Sequence, residues 1–342
     1  MNINDYSYDL PEELIAQHPP KIRGDSRLLV LNKESGKIIH ETYPDIEHEL
    51  NPGDLVILNN TRVIKARLLA TNLAGKEREF LLLERHEHTL DTHHWKVLYR
   101  RKIHQGEVYN IGNARVKIEA VYNNGIALIS SDSNLSEVSE QYGSVPLPPY
   151  MKRQASHEDI KRYQTEFAKE SGSVAAPTAS LNFTNELKER LERKGVQIAY
   201  LTLHVGLGTF LPIRSDKLTD HVMHSEYYEV PAETVRLIQE AKQTGHRVVA
   251  IGTTVTRTLE YAHKEITEGP ATMLSGEADI FIYPGYNFKI VDALLTNFHA
   301  PSTTVLMLTA AFTGWDKLKT AYMAAVDERY SFFSYGDSMF IH

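Results

Sequence analysis

The chain of 342 residues contains no cysteine. That absence excludes disulfides, a cysteine nucleophile, thiolate zinc sites and iron–sulfur clusters held by cysteine. Long apolar runs are also missing. The most apolar window, Val305 to Phe312, falls far short of the roughly 20 residues that span a bilayer. The opening residues Met1 to Asp5 have neither a basic nor an apolar signal-peptide segment, so a cytoplasmic protein without a membrane partner is expected. Positive charge is in deficit, with a formal net charge of -7, which argues against a protein that coats nucleic acid. Between Arg62 and Lys117, however, twelve Lys and Arg stand against six Asp and Glu, a local excess of six. Such a segment is either a solvated charged β-surface or a phosphate-binding one.

The hydrophobic fraction of 42% and charged fraction of 24% are those of a soluble globular protein, and the length suits about two domains. Repeats and low-complexity tracts are lacking. Leu28–Leu31 reads as a buried strand returning through a turn at 33–36 into Lys37–His40. Asn51–Asp54 is a turn feeding the strand Leu55–Leu58. From Arg62 to Ser131 the texture is β, with strands expected at Val63–Ala70, Glu79–Leu83, Trp95–Tyr99, Ala114–Val121 and Ile126–Ile129. Val145–Tyr150, with three prolines, is a stiff extended connector.

After residue 151 strands and helices alternate. Helices are expected at Asn185–Lys194, Glu233–Gln243, Thr254–Lys264 and Trp315–Val326. Strands are expected at Gln197–Leu203, Arg247–Ile251, Ala278–Ile282, Ile290–Thr296 and Thr304–Leu308. The expected fold class is α/β: a discontinuous catalytic domain, 1–61 with 150–342, interrupted by an inserted antiparallel β-barrel at 62–149.

Five clusters could carry chemistry. In Thr202–Phe210 a strand ends at His204 and enters a loop with Gly206 and Gly208, which is either a ligand approach or a tight turn beside a core histidine. No complete Gly-x-Gly-x-x-Gly supports a dinucleotide site. His221, His224 and Glu226 follow; at i, i+3 the two histidines would share one side of a helical turn. Acid/base use, a structural role and metal binding are all open on spacing, but His-Glu-x-x-His is absent and no metal site is expected. Gly252, Thr253, Thr254 and Arg257 place glycine, hydroxyls and a cation at a helix start, either an anion pocket or ordinary capping. Thr296 to Pro301 holds Asn297 and His299 after a buried strand. Tyr330 to Phe340 packs four aromatics into six residues before Gly336 and Asp337. These either form core or face a cation or base. A Ser-His-Asp hydrolase is disfavoured, because Gly-x-Ser-x-Gly is missing.

Along nearly its whole length the chain resembles the S-adenosylmethionine:tRNA ribosyltransferase-isomerase family of queuosine biosynthesis. The blocks that carry the resemblance are Asp54–Val63, Val145–Tyr150, Ala175–Ala179, Thr202–Phe210, His221–Glu226, Gly252–Glu260, Leu295–His299 and Phe332–Ile341. Some positions depart from the family pattern: Asn182 stands where histidine is common and Ser180 where glycine is. Val255-Thr256 replaces Ser-Val, and Ala300 a larger apolar residue. No acid/base role is therefore assigned at 182.

The resemblance implies an α/β catalytic domain with an inserted barrel. It also implies transfer and isomerisation of the ribosyl part of S-adenosylmethionine onto 7-aminomethyl-7-deazaguanine at the tRNA wobble position, giving epoxyqueuosine-tRNA, adenine and methionine. S-adenosylmethionine would be a co-substrate, with no prosthetic group, and the protein a monomer. His204, His221, His224 and Glu226 would move protons, with Asp337 near the amine or the purine edge. Arg257 with Gly252, Thr253 and Thr254 would hold the methionine carboxylate, beside Gly206 and Gly208. Asn60, Arg62, Thr178, Asn297, His299 and Tyr335 would meet substrate, and Arg100, Arg101 and Lys102 the tRNA. An S-adenosylmethionine-dependent RNA methyltransferase and a noncatalytic RNA-binding module are the alternatives. Lacking cysteine, the chain would have to run this chemistry by polar steps.

Overall fold

Leu55–Asn59 is buried at every residue, as befits a strand covered on both faces. It is the fourth strand of a mixed sheet of nine in the computed structural model, which describes residues 2–83, 91–206 and 218–342. In spatial order the strands are Leu274–Ala278, Glu226–Val230, Gln197–Leu203, Leu55–Asn59, Val248–Ile251, Ala293–Asn297, Ser338–Ile341, Arg27–Leu31 and Ile38–Thr42. The four strands from Gln197–Leu203 to Ala293–Asn297 run parallel, with Gln197 opposite Leu55 and Val249 opposite both Val56 and Ala293.

Alternation along each strand feeds two cores. Leu29, Leu31, Leu55, Ile57 and Ala250 pack on the helices Ala232–Thr244, Thr253–Tyr261, Thr304–Thr313 and Trp315–Asp327. Leu28, Val30, Val56, Leu58 and Val249 pack on the opposite side against the helix Asn185–Lys194. Its cap follows from sequence: Thr184 accepts from the Leu187 N–H, and Gly195 closes it at φ 91°.

Between Asn59 and Gln197 the chain builds a closed barrel of six antiparallel strands: Arg67–Asn72, Glu77–Leu82, His94–Tyr99, Val108–Ile111, Ala114–Val121 and Ile126–Ser131. Leu68, Phe80, Val97, Val116 and Ile129 fill it, with Leu135 and Val138 of the helix Leu135–Tyr142 joining that core. A mixed α/β sheet with a closed antiparallel barrel is thus the expected fold class.

Several elements differ from expectation. The run Val63–Ala70 is split: Thr61–Val63 pairs with Glu170–Ser173, and Arg67–Asn72 enters the barrel. Thr304–Leu308 is no strand but the start of the helix Thr304–Thr313, capped by the Thr303 hydroxyl; a short apolar run does not distinguish a buried strand from a buried helix. The helix expected over Thr254–Lys264 breaks at Ala262 into Thr253–Tyr261 and His263–Glu268. The strand near 280 sits earlier, at Leu274–Ala278. Residues 221–225 form no helical turn; they are irregular and lead into the strand Glu226–Val230.

Candidate active site

The parallel strands all end at one edge, and the central one, Leu55–Asn59, has its successors on either side: Gln197–Leu203 on one and Val248–Ile251 on the other. Such a reversal opens a crevice beyond the carboxyl ends of the strands. Here the crevice is a cavity of about 460 Å³, within the range of small-ligand sites.

Gly252 forms its floor. Its φ of 100° suits glycine, and its N–H donates to the Leu295 carbonyl at 2.8 Å. The helix Thr253–Tyr261 starts there, with Thr253 and Thr254 lining the cavity. Among the described residues no side chain caps this helix, so its first N–H groups are available to an anion. One and two turns on, Arg257 reaches the same space and Glu260 anchors the helix from behind. The fully buried Glu260 carboxylate accepts from the N–H groups of Lys289, Ile290 and Val291 at 2.8–3.0 Å.

Glu226 and Arg257 form a buried ion pair on the cavity wall. The other Glu226 oxygen accepts from the Gly206 N–H at 2.9 Å. The Arg257 Nε is buried without a hydrogen-bond partner among the described residues. This guanidinium therefore balances Glu226 and retains an unsatisfied donor. His224 is exposed at the cavity edge.

On the opposite wall Thr178 Oγ1 donates to Asn297 Oδ1 at 2.8 Å, and Asn297 Nδ2 donates to the Asp337 carbonyl at 3.3 Å. Next to them His299 Nε2 lies 2.8 Å from Thr296 Oγ1. Burial lowers the His299 pKa to about 3, so the ring is neutral.

The structure therefore brings nine of the expected residues to one cavity: Thr178, His224, Glu226, Gly252, Thr253, Thr254, Arg257, Asn297 and His299. Gly206 supports it through Glu226. Gly208 lies outside the described residues.

Others are placed elsewhere. His204 does not line the cavity: its Nδ1 is 2.7 Å from Thr61 Oγ1 and its ring covers Gly172, where a Cβ would come within 2.7 Å of Nε2. His221 stands one layer back, edge-on to the lining residue Phe281 at 4.9 Å; burial first, then the charge of His224, lowers its pKa. Asp337 points away from the cavity lining and accepts from the N–H groups of Arg27 and Ser331, both at 2.7 Å. Tyr335 donates to Asp159 at 2.8 Å. Asn60 accepts from the Thr202 hydroxyl and Arg62 donates to the Ala168 carbonyl, both outside the cavity. Arg100, Arg101 and Lys102 are exposed on the barrel.

Residues not singled out complete the site. Tyr150 and Phe333 pack at 4.7 Å along the cavity, and Tyr150 shares a hydrogen bond with Ser334; burial pushes the Tyr150 hydroxyl up to about 12. Phe333 has φ 70°, an uncommon backbone for a bulky residue. The proline-rich connector and the aromatic C-terminal run were the available signals; what spacing did not convey is that they meet. Among the described residues no three histidine or acidic side chains assemble as a metal site.

A sequence profile described as "Queuosine biosynthesis protein" matches residues 3–341. S-adenosylmethionine:tRNA ribosyltransferase-isomerases from Pelodictyon phaeoclathratiforme and Chlorobaculum parvum are 53% and 52% identical to the chain, each over the full length of both proteins. A crystal structure of an S-adenosylmethionine tRNA ribosyltransferase from Thermotoga maritima is 37% identical, covers 99% of this chain and 100% of its own, and superposes with a TM-score of 0.57. With a single profile spanning the sheet, the barrel and every wall of the cavity, the chain belongs to the queuosine biosynthesis protein family.

Proposed function

We propose that the cavity at the strand ends binds S-adenosylmethionine and receives 7-aminomethyl-7-deazaguanine from the tRNA wobble position. The chain is an S-adenosylmethionine:tRNA ribosyltransferase-isomerase, with S-adenosylmethionine as co-substrate and tRNA as acceptor. The observation that supports the proposed binding mode is the pairing of a helix start without a side-chain cap among the described residues with Arg257, both lining the cavity that His224 and Glu226 also line.

In this reading the Thr253–Thr254 amides and Arg257 hold the methionine carboxylate. The sulfonium acidifies the neighbouring ribose methylene. His224, with Glu226 beside it, removes that proton. Adenine then leaves with the glycosidic electron pair. The neutral aminomethyl group of the tRNA base attacks the vacated ribosyl carbon and loses a proton. The sugar ring opens to an iminium and an alkoxide, and the deprotonated methylene carbon bonds to the iminium carbon to close a carbocycle. The alkoxide then attacks that same methylene carbon, forming the epoxide and expelling methionine. Tyr150 and Phe333 supply apolar faces for a flipped-out base. His204, His221, Asp337, Tyr335, Asn60 and Arg62 act around this site rather than in it, His204 and Asp337 through the backbone turns they hold.

The catalytic domain is 1–61 with 150–342, carrying the barrel 62–149 as an insert whose Arg100, Arg101 and Lys102 meet the tRNA. The enzyme works as a monomer in the cytoplasm; no described helix is long and apolar enough to cross a membrane. Product analysis with S-adenosylmethionine and tRNA bearing the deazaguanine tests the reading. Adenine and methionine in equal amounts are expected. S-adenosylhomocysteine without free adenine would establish a methyltransferase instead.

A further inference from the structure

His299 is held through both its backbone and its side chain. Its backbone N–H donates to the Tyr322 hydroxyl at 2.9 Å, and its carbonyl accepts from the Tyr8 hydroxyl. Both tyrosines are buried and pack edge-on at 4.9 Å. They come from opposite ends of the chain, the N-terminal segment and the helix Trp315–Asp327. On the side chain, Thr296 Oγ1 is the hydrogen-bond partner of Nε2. No described residue bonds to the other ring nitrogen, Nδ1, and it is not among the sealed polar atoms; His299 itself lines the cavity.

We infer that His299 Nδ1–H is the hydrogen-bond donor to a ring nitrogen of the adenine of S-adenosylmethionine, and that this bond strengthens as adenine departs. The tautomer follows from Thr296. Thr296 is almost fully buried and Nε2 is its hydroxyl's one partner among the described residues. An O–H left without an acceptor there would be costly, so we assign Thr296 as the donor, and a ring that accepts at Nε2 carries its proton on Nδ1. The imidazole stays uncharged because burial disfavours the cation, which parallels enzymes that use a neutral imidazole as an electrophile.

The ligand is chosen by complementarity. Adenine N1, N3 and N7 are all acceptors. The 7-deazaguanine of the tRNA lacks N7 and shows donors at N1 and N2, so besides its O6 carbonyl it keeps one accepting ring nitrogen, N3, where adenine has three. The position also fits: the His299 turn follows the strand Ala293–Asn297, whose neighbour Val248–Ile251 leads into the proposed carboxylate site at Gly252. One ligand could thus reach both.

The step balances without an outside reagent. The glycosidic C–N bond breaks and its electron pair stays on adenine. The developing charge spreads over the ring nitrogens, one of which accepts from Nδ1–H without proton transfer. The proton that adenine finally takes returns from the group that deprotonated the ribose methylene. His299 is a catalytic residue here because it touches the leaving group, and it takes no part in titration.

The inference rests on the proposed function, and the test separates the two. If the wild-type enzyme releases no adenine, that reading fails first. Given adenine release, ¹⁵N-histidine NMR of the full chain is expected to show His299 as the neutral Nδ1–H tautomer from pH 6 to 9, a range set by ordinary histidine titration near 6.5. An Nε2–H tautomer or an imidazolium would overturn the assignment. Single-turnover adenine release in H299A is expected to fall about 100-fold, the cost of removing one preorganised donor from a developing anion. H299N, which keeps a neutral N–H donor, should recover part of it. The penalty should disappear with one of the 1-, 3- or 7-deazaadenine analogues of S-adenosylmethionine, the one lacking the contacted nitrogen. An equal penalty on all three, or weaker tRNA binding with unchanged adenine release, would move His299 to another role and overturn the inference.

Discussion

At the scale of the residue, the Glu226–Arg257 pair governs the site. Both side chains are nearly enclosed, with 3% and 11% of their surfaces exposed. Removing one partner leaves a buried charge without its counterion. R257A is therefore expected to lose roughly 3–5 kcal/mol of stability together with S-adenosylmethionine affinity. The double variant E226Q/R257M should regain most of the stability but not the affinity, as read by thermal unfolding and calorimetric titration. Recovery of both would remove the carboxylate pocket. Individual histidines were the least legible part of the site. His204 and Val205 are adjacent at a strand end, so their side chains leave on opposite faces. The structure turns Val205 to the cavity and His204 to Thr61. A strand end marks where chemistry gathers but does not say which of two neighbours faces it. Asp337 shows the same gap: its acid is real, but two backbone N–H groups consume its oxygens.

At the scale of the element, the wall built from 145–163 and 330–335 depends on Asp159. Arg153 grips this carboxylate through both guanidinium arms at 2.6 and 2.8 Å, Ser156 donates from its N–H and hydroxyl, and Tyr335 donates from its hydroxyl. Burial by itself would raise the Asp159 pKa, but these donors outweigh it and the net shift is downward. A carboxyl depressed on folding contributes stability above its unfolded value, about 3.9, and loses it as pH falls through the folded value. D159N is expected to cost about 3 kcal/mol at pH 7 and progressively less below about pH 4, measured by denaturant titration across pH. An equal cost at pH 3 and pH 7 would contradict the linkage.

Elements with their own punctuation were readable. The helix Asn185–Lys194 carries Thr184 and Gly195 at its ends, and Leu55–Asn59 follows an obvious turn. The helix Thr304–Thr313 reads as a strand in sequence because its apolar residues are buried almost all round, which erases the periodicity that would reveal it. The barrel strand Val108–Ile111 escaped notice because it is only four residues long.

At the scale of the whole molecule, the change from β texture to strand–helix alternation was enough to indicate a barrel beside an α/β sheet. Register was not. Ser338–Ile341 slots between Ala293–Asn297 and Arg27–Leu31, and its pairing with the latter joins residues 310 apart in the chain. The surplus of basic residues on an acidic protein belongs to this scale too. Neutralising Arg100, Arg101 and Lys102 together should reduce the slope of log tRNA affinity against log salt by up to about one per lost phosphate contact. An unchanged slope would show that the tRNA lies elsewhere. The central claim is that this cavity expels adenine by polar acid/base chemistry, and the most direct measurement is single-turnover adenine release in H224A and H204A, with S-adenosylmethionine and tRNA saturating. The account predicts a loss of about 10²–10⁴-fold in H224A, the usual contribution of a general base, with H204A retaining most of the rate. Wild-type release in H224A would contradict it.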